Sequence, residues 1–157
     1  AAQVQLVLAR TTCPGRYIAV VAGDTGSVKS AVEAGLKTGA SMVVDWFILP
    51  SVHPDVIPAL SGCGSIESIN ALGVIETCTT VSCILAADAA AKTAAVTLLE
   101  IRFAAGLAGK AFVTMSGDVA SVQAAVEAGI AGVGEAGPVL SHVVIPSPSK
   151  EFKAQLL

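Results

Sequence analysis

The chain has 157 residues, a net charge of −3 and a mean hydropathy of +0.75, with 54% hydrophobic and 13% charged residues. That charge gives no electrostatic basis for binding nucleic acid, and no apolar run reaches the roughly 18 residues of a membrane span, because Asp88 interrupts the best candidate. The length admits one domain or two small ones, and the excess of alanine, valine and glycine predicts faces covered by other subunits.

Residues 4–9 read as a strand, Arg10 to Arg16 as a turn containing Cys13-Pro14-Gly15, and residues 17–22 as the returning strand of a hairpin. A helix follows over about residues 25–37, then a strand over 42–49 stopped by Pro50-Ser51-Val52-His53-Pro54. Residues 55–60 fit a short helical turn, and residues 63–70 a linker. Beyond it come a strand at 71–76, a helix capped by Thr79 or Thr80 and running to Lys92, and a strand at 96–103. In that strand Leu99, Ile101 and Phe103 alternate with Glu100 and Arg102, a half-buried pattern. A turn at 104–110, a strand at 111–116, a helix, a strand at 140–145 and a short terminal helix complete the chain.

One stretch occurs twice. Gly23-Asp24 and the following residues to Val32-Glu33-Ala34-Gly35 return as Gly117-Asp118 through Val126-Glu127-Ala128-Gly129. Val28, Ala31, Val32 and Leu36 share one helical face, as do Val122, Ala125, Val126 and Ile130. Asp24 and Asp118 stand where a carboxylate accepts first-turn N–H bonds. Gly35 and Gly129 either end a helix or let a neighbour pack closely. The repeat predicts two copies of one α/β sandwich unit, each a small mainly antiparallel sheet with flanking helices, ferredoxin-like. The units are assigned to 1–62 and 71–157. The first copy has no counterpart of residues 71–93, so a strand and helix ahead of Ala1 are expected in the intact protein.

The four cysteines are irregularly spaced, which suits free thiols or ligands rather than a disulfide framework. Cys78 and Cys83 read as packing residues and Cys63 as an isolated linker thiol. His53 is read as a turn residue, and His142 as a structural histidine with one hydrogen bond. No Ser-His-Asp set, phosphate loop or carboxylate pair points to catalysis, so no catalytic residue is assigned.

Ala71-Leu72-Gly73-Val74-Ile75-Glu76-Thr77, Ala86-Ala87-Asp88 with Ala91-Lys92, Gly117-Asp118 and Val144-Ile145-Pro146 resemble the bacterial microcompartment (BMC) shell domain. The doubling resembles the tandem-domain trimeric shell proteins, and Cys13-Pro14-Gly15 with Leu49-Pro50-Ser51-Val52-His53-Pro54 is similar to their PduT type, from propanediol-utilisation compartments. The resemblance implies a homotrimeric, pseudohexameric tile in a compartment shell within the bacterial cytoplasm, packed beside other shell proteins. It implies a central pore lined by Thr12, Cys13, Pro14, Gly15 and, from the second copy, Ala105, Gly106, Leu107, Ala108 and Gly109. It further implies one 4Fe–4S cluster per trimer, held by Cys13 of each chain, for electron or cluster transfer with an encapsulated or cytosolic redox enzyme. Four thiolates normally hold such a cluster, so three chains would leave one iron open. Lys92 would be the tile-edge residue, while Pro146-Ser147-Pro148 departs from the family's proline-arginine-proline-histidine ending. A plain metabolite pore without a cluster, and a small-ligand regulatory protein with a ferredoxin-like fold, are the alternatives.

Overall fold

A computed structural model describes residues 2–13, 15–62, 69–103 and 109–154. The first unit opens with an antiparallel hairpin, β1 (Gln5–Thr12) and β2 (Arg16–Ala22), rich in the branched and aromatic residues that favour strands. Helix α1 (Thr25–Gly39) starts where Asp24 accepts a 3.0 Å hydrogen bond from the Ser27 N–H. It ends in a single turn of 3-10 helix at Ala40–Met42. Residues 43–49 run on without joining a strand ladder, and α2 (Val56–Leu60) follows the proline turn.

The second unit is a four-stranded, wholly antiparallel sheet with strand order β4-β5-β3-β6. Its strands are β3 (Ala71–Thr77), β4 (Thr97–Phe103), β5 (Ala111–Gly117) and β6 (Val139–Ile145). Helices α3 (Thr80–Thr93) and α4 (Val119–Val133) pack on each other and on one sheet face, and α5 (Lys150–Lys153) follows β6. The caps are side chains again: Thr79 accepts from Ser82 N–H at 3.1 Å and Asp118 from Ser121 N–H at 2.9 Å. Ile75, Ile101, Val113 and Met115 of the sheet meet Cys83, Ala86, Ala87 and Ala90 of α3 and Val122, Ala125 and Val126 of α4 in the main core. Small residues on α3 allow α4 a close approach. A Cβ added at Gly129 would stand 2.9 Å from the Ala86 carbonyl oxygen.

The repeat holds down to an irregularity in register. In the first hairpin Leu6 faces Val21 and Leu8 faces Val20, a one-residue shift. In the second, Leu98 faces Met115 and Glu100 faces Thr114, the same shift at the corresponding place. This bulge corrects the expected alternation along β4. Leu98, Ile101 and Phe103 enter the main core, while Leu99 turns to the opposite face and packs with Ile69 and Leu72.

The expected strand at 42–49 does not form a ladder. Its counterpart β6 is a strand because β3 supplies its hydrogen bonds, and the first unit offers no such neighbour among the described residues. The expected hydrogen bond at His142 is also absent: this residue lies exposed on edge strand β6, and its side chain has no hydrogen-bond partner among the described residues. No described helix is long and apolar enough to cross a membrane.

Candidate functional site at the hairpin ends

Cys13 sits half-buried in the turn between β1 and β2. Thr12 pairs with Arg16 as the last rung before the turn, and Gly15 takes a φ of +70°, which favours glycine. Leu8, Ile18 and Val20, on one face of this hairpin, pack against the core of the second unit. Two guanidinium groups extend the contact to the turn. Arg10 lies 4.3 Å from the ring centroid of Phe103, the last residue of β4. Arg16 covers Gly109, where an added Cβ would lie 2.9 Å from the guanidinium carbon. Gly109, at φ +86°, leads into β5. The ends of the two hairpins are therefore neighbours within one chain. Pro14, Ala105, Gly106, Leu107 and Ala108, expected in the pore loops, lie outside the described residues, as does Cys63.

Within one chain the described thiols, Cys13, Cys78 and Cys83, do not form a ligand set. No group of three His, Cys, Asp or Glu among the described residues could hold a metal ion. Cys83 is fully buried, and that burial pushes its thiol up to about 12, against a smaller opposing effect of the Thr77 hydroxyl. It stays protonated and packs, as its position predicts. Cys13 by itself offers one free thiol at the end of the hairpin, and thiolates are soft donors.

Lys92 lies in the last turn of α3, just before the short connection to β4, whereas Cys13 lies beside the end of β4. The two positions are thus separated by about one strand length, roughly 20 Å. Its ammonium is 2.6 Å from Oδ2 of Asp88, which is only 5% exposed. The other oxygen of Asp88 accepts a 2.7 Å hydrogen bond from the backbone N–H of His53, in the proline loop that closes the first unit. His53 is therefore a turn residue, and its Nδ1 accepts from the Asp55 N–H at 3.3 Å. A second link between the units runs from the Thr79 hydroxyl to Asp45 Oδ2 at 3.2 Å. The i,i+4 spacing of Asp88 and Lys92 is visible in the sequence. The partnership with His53 is not, because it joins residues 35 apart.

The comparisons with known proteins agree with this architecture. The BMC domain family matches residues 1–52 and 71–148. The chain belongs to the BMC-domain family of microcompartment shell proteins. The bacterial microcompartment shell protein PduT of Citrobacter freundii is 36% identical over 99% of this chain and 85% of its own length. The shell protein EutM of Salmonella typhimurium is 40% identical, yet it covers only 54% of this chain while 86% of EutM is matched. A protein of that size thus corresponds to one BMC unit, and this chain carries a PduT-like doubling. Among solved structures, a microcompartment protein from Desulfitobacterium hafniense DCB is 49% identical, with a TM-score of 0.91 over 98% of this chain and 86% of that one.

Proposed function

We propose that three copies of this BMC chain close into a pseudohexameric tile of a microcompartment shell, with the hairpin ends gathered round a central pore. The observation that carries this reading is the adjacency of the two hairpin ends, fixed by Arg10 on Phe103 and Arg16 on Gly109. A threefold axis beside that end would bring six hairpin ends together, alternately of first and second type. The face that docks the first unit on the second supports the same closure. Leu8, Ile18 and Val20 are packed there, and two of their counterparts, Glu100 and Phe112, lie half-buried on the equivalent face of the second unit.

In this tile Cys13 of each chain would hold a 4Fe–4S cluster on the axis, and the cluster would supply one-electron transfer across the shell. Three thiolates would come from three chains, with the N–H groups of the turn available to the sulfides. The second turn has no cysteine, so only alternate positions carry a ligand. Lys92, held by Asp88 about a strand length away, would serve the contact between tiles. Anaerobic reconstitution followed by iron and sulfide analysis and electron paramagnetic resonance tests the cluster. Wild-type protein should bind about four irons per trimer and Cys13→Ser close to none. Equal loading of the two would leave a plain pore. Lys92→Ala should preserve trimers on a sizing column but abolish flat sheets in electron micrographs. Unchanged sheets would remove Lys92 from assembly.

A further inference from the structure

Two ion pairs in this chain share the i,i+4 spacing on a helix, and they differ in kind. On α1, Lys29 lies 4.0 Å from Glu33, and both side chains are mostly exposed. On α3, Lys92 lies 2.6 Å from Asp88, whose carboxylate is almost fully buried. The acid precedes the lysine only in the second pair, the better order on a helix. Order alone does not bury a carboxylate, however. A third group completes the arrangement, the His53 N–H of the first unit's proline loop, 2.7 Å from Oδ1 of Asp88.

That loop is itself fixed. The Val56 N–H donates to the His53 carbonyl oxygen at 3.1 Å, and the Asp55 N–H donates to His53 Nδ1 at 3.3 Å. Val56 and Ala59 of α2 are fully buried, and α2 packs on β4 and α3. A continuous line of contacts therefore runs from the docked α2 through His53 to Asp88 and on to Lys92. Each carboxylate oxygen has its own donor, so the Asp88 rotamer is set from both sides. An ammonium has three donors. One is engaged by Oδ2, and two remain on a side chain that is 40% exposed.

We propose that Asp88 is the positioning residue of the tile edge. It holds the Lys92 ammonium in one place and direction, and it offsets the charge that the lysine brings to a neighbouring tile. The inference rests on the reading of Lys92 as a contact between tiles. A free lysine loses rotamer freedom when it is ordered by a contact, which opposes association. A lysine already held has lost that freedom on folding. Because His53 completes the clamp, the edge is ready only where the first unit is docked on the second.

Asp88→Asn tests this. Asparagine has one acceptor oxygen for two donors, so it cannot hold both. The oxygen goes to the partly buried His53 N–H, and Lys92 turns to water. Trimers should persist on a sizing column, while the protein concentration at which flat sheets appear in electron micrographs should rise about tenfold. In trimers below that concentration, acetylation of Lys92 by an N-hydroxysuccinimide ester should quicken severalfold relative to Lys29, read by mass mapping. The reason is that a nitrogen held by a carboxylate must leave it to react. Sheets at the wild-type concentration would overturn the proposal, and so would an unchanged ratio of Lys92 to Lys29 acetylation. A merely structural Asp88 would lower the melting temperature and leave that ratio alone. Lys92→Ala separates the inference from the reading beneath it. Sheets from Lys92→Ala would end the tile-edge role of Lys92 and this inference together. Sheets from Asp88→Asn at the wild-type concentration, but none from Lys92→Ala, would overturn the inference alone.

Discussion

Asp88 joins the two units through one carboxylate, and removing it should separate two kinds of loss. Asp88→Ala deletes the acceptor of the His53 N–H, which lies 2.7 Å away and is partly buried. Leaving such a donor unsatisfied costs about 1–3 kcal/mol. It also deletes the partner of Lys92 at 2.6 Å. Breaking a fully buried pair costs about 3–5 kcal/mol, but the Lys92 side chain is 40% exposed and finds water instead. That loss is therefore closer to the roughly 1 kcal/mol of a surface pair. The sum is about 3 kcal/mol, or a fall in melting temperature of roughly 6–12 °C for a chain of this size. Asp88→Asn keeps an oxygen for His53 and loses only the charge, so it should cost about 1 kcal/mol. Urea unfolding of the three proteins, followed by circular dichroism, measures both differences. Equal losses for Ala and Asn would show that the link to His53 contributes nothing and would refute this account of the junction.

Cys83, with its thiol pushed up to about 12 by burial, should resist iodoacetamide near neutral pH while Cys13 reacts. Mass mapping of the native protein checks this, and equal labelling of the two would contradict the packing. Gly129→Ala should destabilise by about 1–2 kcal/mol, because overpacking against Ile75 and Ala86 outweighs the gain in helix propensity. Gly35→Ala, with open space around it, should stabilise by up to about 1 kcal/mol in urea unfolding. Asp118 is held below the ordinary carboxylate value, first by the Ser121 hydroxyl and then by the Ser121 N–H. Its contribution is therefore complete above the unfolded value of about 3.9 and is lost as pH falls through the lower folded one. Asp118→Asn, which still caps but does not titrate there, should flatten the acid side of the stability profile. An unchanged acid slope would count against the cap.

Much of the fold was legible because its signals are local. The caps at Asp24, Thr79 and Asp118 follow from side chains that reach N–H groups within three residues. The doubled helix follows from apolar spacing, and the hairpins from strand-forming runs on either side of glycine turns. Residues 43–49 defeated the same reasoning, since their composition suits a strand but a ladder needs a neighbour. Leu99 defeated it too, because a bulge shared with β5 moved it to the other face. At the site, Cys13 stood out by its turn and Asp88 by its i,i+4 spacing to Lys92, whereas the contacts of Arg10, Arg16 and Asp88 with the other unit carried no local mark. Their partners Phe103, Gly109 and His53 come from the other unit.

Repetition, helix caps and the position of a lone thiol in a turn are properties of short windows, and the amino-acid order alone determined them here. Which hairpin ends neighbour each other, which backbone N–H shares the Asp88 carboxylate with Lys92 and which apolar face lies open were decided only in three dimensions. Each depends on contacts between residues far apart in the chain, and no local pattern encodes the closing of that distance.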